Sequence, residues 1–168
     1  MPQAPTRRGG RDLPALMFNM NRLWEAFLER TLRRTLPDYE VSGQQSDAYF
    51  HSPAFISHIR PDITLRRGGQ ICAILDAKWK VPTNDRPSAG DLQQLYTYAH
   101  FHGAERVALL YPGTGLGARP RVQGRFGKEQ RGAEDPVCGV LFLPFLDSGV
   151  GLGEWMVELG KAVRGVLG

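Results

Sequence analysis

From Pro61 to Lys80 the chain reads PDITLRRGGQICAILDAKWK. Two short apolar segments flank Gly68-Gly69, the pattern of a β-hairpin. Three charged residues stand at its open end: Asp62 starts the first strand, and Asp76 and Lys78 lie near the end of the second. Residues two apart in a strand share a face. Asp76 and Lys78 therefore project together, and Leu75 and Ala77 project the other way. Ile63 and Leu65 must meet Ile71, Ala73, Leu75 and Ala77 to make one apolar face, which brings Asp62 to the side of Asp76 and Lys78. A strict two-residue turn would instead oppose Asp62 to Leu75. The expected hairpin has a three-residue turn, Gly68 to Gln70, or one bulge.

Two carboxylates converging at a sheet edge repel each other and call for a counter-charge. Mg²⁺ supplies one, because it favours carboxylate oxygens and keeps several waters. A neighbouring lysine suits the orientation of water or the stabilisation of charge on a phosphate. On spacing alone an exposed Asp76–Lys78 surface pair, with Asp62 ending a loop, accounts for the same residues about equally well.

The flanking sequence supplies the other elements. Leu16 to Leu36 carries apolar residues at spacings of three and four, with Asn19 or Asn21 as cap and Pro37 as stop. Glu25 lies at the margin of that apolar stripe. Tyr39 to Ile59 reads as one strand with irregular connections. A second helix spans Asp91 to His102, capped by Asp91 or Ser88. Glu105 to Tyr111 and Val137 to Phe145 read as buried strands, joined by a long Gly- and Arg-rich loop. Gly153 to Leu167 closes as an amphipathic helix weakened by Gly160 and Gly165. Helices and strands in this order indicate an α/β fold with a mixed sheet flanked by helices.

The composition is that of a soluble globular chain of 168 residues, 42% apolar and 23% charged, with net charge +4. The positive charge is clustered at Arg7, Arg8 and Arg11, in the first helix at Arg22, Arg30, Arg33 and Arg34, and in the loop from Arg119 to Arg131. Such clusters suit a polyanion, and a solvated surface accounts for them equally well. Residues 1–14 read as a basic disordered arm and 15–168 as one domain. The two cysteines, Cys72 and Cys138, lack ligand spacing and read as reduced core residues. With no apolar leader or membrane-length run, a cytoplasmic location is expected. The histidines His51, His58, His100 and His102 share no ligand spacing with the aspartates and read as solvated or core residues; only His58, near the Pro61-Asp62 turn, could approach a polyanion. Trp79 is expected in the core, and Tyr96 and Tyr98 as packing residues. Lys80, on the face of Lys78, could touch a phosphate, and GTGLG at Gly113 to Gly117 reads as a flexible turn, not a phosphate loop.

Pro61-Asp62 followed by Asp76-Ala77-Lys78 resembles the PD-(D/E)xK nuclease signature. With FNMNRLWEAFLER, RPDITL, ILDAKWK, DLQQLYTYA and VALLYP in that order, the chain resembles the nuclease domain of McrC, cleavage subunit of the McrBC modified-cytosine restriction system. The likeness covers about residues 16–112. It implies a restriction-endonuclease-like core, and Mg²⁺-dependent endonuclease activity on DNA, with Mn²⁺ as a substitute. It implies that Asp62 and Asp76 bind the metal, with the Ala77 carbonyl as a neutral oxygen ligand, and that Lys78 is the catalytic lysine. Glu25 matches the acid of the first helix, reaching the metal through water, and Gln94 the glutamine of a D-x-x-Q-x-x-x-Y-A pattern that continues to Tyr98. The partners implied are duplex DNA, with modified cytosine as one form of it, a McrB-like GTPase, and a second copy of the chain for double-strand cleavage. In that family a region ahead of the nuclease part docks onto McrB, and this chain begins just before the nuclease helix, so dependence on McrB stays open. A catalytically silent DNA-binding or assembly module of the same fold is the alternative.

Overall fold

A computed structural model describes residues 19–113, 119–127, 135–144 and 151–168. Helix α1 (Met20–Thr35) starts at Asn19, whose side chain accepts the Arg22 N–H, and stops before Pro37. It buries Trp24, Leu28, Thr31 and Leu32 along one stripe. Where one strand was expected between Tyr39 and Ile59, three form: β1 (Glu40–Gly43), β2 (Asp47–His51) and β3 (Ile56–Ile59). Among the described residues β2 and β3 pair with each other alone. The mostly exposed face of that small hairpin carries no long apolar alternation, which is why the sequence pattern did not resolve it.

Strands β4 (Ile63–Arg67) and β5 (Gln70–Ala77) form the central hairpin. Arg67 pairs with Gln70, so the turn is the two residues Gly68 and Gly69, with φ of 59° and 81°. Positive φ at both positions is the geometry of a type I′ hairpin turn, which glycine adopts without strain. The odd residue comes from a bulge: Arg66 faces Ile71 while Leu65 faces Ala73, and Ile63 faces Leu75. Asp62 therefore comes level with Asp76, through the bulge and not through a longer turn. The bulge also changes the place of Ile71. Expected on the face of Ala73 and Leu75, it packs with Ile74 and Leu95 on the opposite side of the sheet.

Helix α2 (Ala89–His102) is capped by Ser88, which accepts the Asp91 N–H, and ends on Gly103 in the left-handed region. Strand β6 (Arg106–Gly113) follows, then β7 (Arg119–Arg125) within the connection read as a loop, then β8 (Val137–Pro144). β7 runs antiparallel to β8. Its Pro, Gly and Arg content masks the strand in the sequence. The GTGLG stretch lies largely, and residues 1–14 wholly, outside the described residues. Helix α3 (Leu152–Leu167) closes the described fold.

The main sheet has the order β1-β4-β5-β6-β8-β7. β5, β6 and β8 are parallel neighbours, and the remaining pairs are antiparallel. The parallel strands are apolar along their length because both faces are covered. One face carries Ile63, Leu65, Leu75, Leu110 and Leu141 against Leu28, Leu32 and Trp155 of α1 and α3. The other carries Ile74, Val107, Leu109 and Val140 against Leu95, Tyr98 and Ala99 of α2. The mixed sheet flanked by helices is the expected class. Trp79 packs against Trp24 with ring centroids 5.5 Å apart, as expected of the apolar face. Among the described residues no helix is long and apolar enough to cross a membrane.

Candidate active site

The site lies where β5 ends beside the start of β4, above the first turns of α2. Asp76, at the last alternating position of β5, is only 1% exposed. The sheet register sets Asp62 across from it, and Asp62 Oδ2 accepts the Ala77 backbone N–H at 2.8 Å. Burial first, and then the charge of Asp76, push the Asp62 carboxyl up to about 7. Burial likewise raises Asp76, against the opposing pull of Lys78. The two carboxyls thus behave as a coupled pair that resists full ionisation.

Lys78 Nζ lies 2.7 Å from Asp76 Oδ2. This oxygen is buried, and the Lys78 ammonium is its ionic partner. Nζ donates to Gln94 Oε1 at 2.8 Å. Gln94 Nε2 donates to the Tyr98 hydroxyl at 2.6 Å, which donates to the Arg60 carbonyl at 3.2 Å. Arg60 is two residues from Asp62, so the chain of contacts closes a ring: Asp62, Ala77, Lys78, Gln94, Tyr98 and the backbone leading back to Asp62. Burial alone would lower Lys78, yet the charge of Asp76 holds it above the ordinary lysine value, as an ammonium.

Glu25 comes within electrostatic reach of Asp62 and helps to raise it. Its carboxylate accepts from Gln44 Nε2 at 2.6 Å, and the Gln44 N–H donates to the Asp62 carbonyl at 3.0 Å. Gln44 sits at φ 50°, a left-handed conformation that costs a non-glycine residue energy and is here pinned at both ends. Among the described residues no three His, Cys, Asp or Glu side chains gather into a metal-holding group. Asp62 and Asp76 stand together as the carboxylate pair, and Glu25 is joined to Asp62 through Gln44. Ala77 meets the site through its N–H.

Sequence reasoning missed Gln44, Asp91 and Tyr111. Asp91 was seen only as a capping candidate, whereas Ser88 is the cap. Its carboxylate lies 2.7 Å from Lys80 Nζ and accepts the Tyr111 hydroxyl at 2.9 Å. Burial opposes its charge, but Lys80, Ser88 and Tyr111 together hold it down to about 2. Burial and then Asp91 push the Tyr111 hydroxyl above the usual tyrosine range. The available signal was the hydroxyl in VALLYP, a polar atom at the end of a run otherwise apolar. The histidines do not join the cluster: His100 packs on Tyr96 and His102 on Phe101, while His51 and His58 are exposed on the small hairpin. Tyr98 is buried as expected, but Tyr96 is exposed, its ring against Phe126.

A mixed sheet carrying two facing carboxylates and a lysine at the end of its central hairpin is a nuclease-like α+β arrangement. The pattern of the McrBC 5-methylcytosine restriction system component family matches residues 3–112. The chain belongs to that family. No curated protein matches it. A chain of the Thermococcus gammatolerans assembly of McrB AAA+ hexamers with bound McrC is similar in fold, with TM-score 0.67 and 24% identity. The likeness covers 88% of this chain, which spans 33% of the length of the other.

Proposed function

We propose that this chain is a divalent-metal-dependent endodeoxyribonuclease of the restriction system to which its family belongs. The observation that carries the reading is the buried Asp76 held against Asp62 beside Lys78. Burying two repelling carboxylates destabilises a fold unless a cation or a function compensates. The residues fit a hard divalent ion such as Mg²⁺ or Mn²⁺: two carboxylates converge at the end of the hairpin, and carboxylate oxygens are the donors such an ion prefers. Asp62 and Asp76 would hold it, with the Ala77 carbonyl as a third oxygen and Glu25 acting through water. A cation bound there supplies positive charge to a phosphodiester undergoing hydrolysis.

The remaining chemistry belongs to the side chains. Lys78 has three N–H donors, and Gln94 takes one. Asp76 lies 2.7 Å from the ammonium as well, which leaves one donor to orient water or to meet charge developing on a phosphate oxygen. Gln94, fixed by Tyr98, and Asp76 hold the ammonium between them. The family description supports DNA bearing modified cytosine as substrate, and the similar assembly of McrB hexamers with bound McrC supports a McrB-like AAA+ partner.

Plasmid nicking in Mg²⁺ or Mn²⁺, with and without a co-encoded McrB-like partner, tests the reading. Wild type is expected to cut and Asp76→Ala to be inactive under every condition. Full activity in Asp76→Ala overturns the assignment. DNA binding without cleavage in any condition would favour a silent module of the same fold.

A further inference from the structure

Lys80 and Asp91 stand beside the cluster without a part in the cleavage just described. β5 has ended by Lys80, which lies on a bend with its side chain 48% exposed. A lysine so placed ordinarily samples many rotamers. Here its ammonium meets both oxygens of Asp91, Oδ1 at 3.0 Å and Oδ2 at 2.7 Å. Asp91 is buried and braced: Tyr111 donates to Oδ2, and Tyr111 is itself fully buried and stacked on Phe142 with centroids 5.5 Å apart. Asp91 Oδ1 also lies 3.9 Å from Lys78 Nζ. Two ammonium groups of one chain segment thus converge on one carboxylate beside Asp76.

An acid in the first turn of a helix is favourable for its own sake, since it faces the positive end of the helix dipole. That accounts for Asp91 near Ser88. It does not account for a core tyrosine spending its hydroxyl on one oxygen while an exposed lysine is gripped by both.

We propose that Lys80 contacts a substrate phosphate beside the scissile bond and that Asp91 is the residue that positions it. The assignment rests on the nuclease reading above. Lys78 serves the phosphate under attack and Lys80 its neighbour, each a compact point charge suited to phosphate. Asp91 acts through Lys80, and Tyr111 fixes Asp91 from the core.

The experiment uses the full chain, with its McrB-like partner if cleavage requires one, on a fluorescent duplex across a KCl series. Lys80→Ala should reduce the slope of log affinity against log salt by about 1 and raise KM. Asp91→Asn removes a negative charge from the DNA path, so affinity should hold or tighten while kcat falls about tenfold or more from misplacement. The double variant should be no slower than Lys80→Ala alone. Thermal melts should show both single variants folded at the assay temperature. An unchanged slope in Lys80→Ala overturns the phosphate contact. Wild-type kcat in Asp91→Asn, or losses that add in the double variant, overturn the positioning role. A wild-type chain that never cuts overturns the nuclease reading and this assignment together, whereas cutting with any of the preceding results overturns the assignment alone.

Discussion

Asp62 shows how one side chain couples stability to function. Its ordinary value is 3.8, and in the fold burial and Asp76 push it up to about 7. A carboxyl raised on folding binds its proton more tightly in the native state. The metal-free chain should therefore lose stability as pH rises from about 4 to about 7, by up to about 1.4 kcal/mol for each pH unit. Thermal melts across that window check the sign, and Asp62→Asn should flatten the curve and raise Tm at neutral pH. Bound Mg²⁺ should oppose the loss, and its affinity should weaken below about pH 7, where protons compete for the same oxygens. Lys78 is separable from the metal. Lys78→Ala should abolish cleavage yet leave metal affinity by calorimetry nearly unchanged, because an ammonium is not a ligand. Lys78→Arg should not restore cleavage, since a planar guanidinium cannot take the place of a compact ammonium between Asp76 and Gln94. A mere surface pair would cost at most ~1 kcal/mol on substitution and leave activity intact.

The elements are held at distances that glycine and the hairpin bulge determine. Gly160 reads as a weak point of α3, but a Cβ there would lie 2.7 Å from Thr35 Cβ of α1. Of the α3 glycines, Gly160 is the one whose added Cβ would meet α1. Gly160→Ala should therefore destabilise by ~1–3 kcal/mol despite alanine's better helix propensity. Gly165 has nothing within 4 Å of the same added atom, so Gly165→Ala should gain up to ~1 kcal/mol. Denaturant melts of the two variants should move in opposite directions. The hairpin bulge is an element-scale feature of equal weight, because one residue of register decides whether Asp62 shares a face with Asp76.

At the scale of the whole molecule, binding to duplex DNA should be chiefly electrostatic. Arg22, Arg30 and Arg34 stand exposed on α1, and Arg125 on β7. Affinity should fall steeply with salt, as release of counterions from DNA requires. Removing residues 1–12, which lie outside the described residues, or neutralising Arg119, Arg121 and Arg125, should weaken binding while leaving the melting transition in place. Anisotropy titrations with parallel melts measure both, and salt-independent binding would contradict the prediction.

The sequence by itself determined the three helices, the central hairpin, the need for one odd residue in it, and the shared side of Asp62, Asp76 and Lys78. Those follow from periodicity and from which side chains must avoid water, and both are local. The small β2–β3 hairpin and β7 were not legible, because exposed or Gly- and Pro-containing strands lack alternation. Only the tertiary structure decided that the odd residue is a bulge, that Ile71 crosses to the α2 face, and that Asp91, Tyr111 and Gln44 surround the site. Each of these depends on contacts between residues far apart in sequence. Gln44 reaches Glu25 and Asp62 from a connecting turn, and Tyr111 reaches Asp91 from the neighbouring strand. Such convergence is set by how the sheet and helices stack, and no spacing along the chain records it.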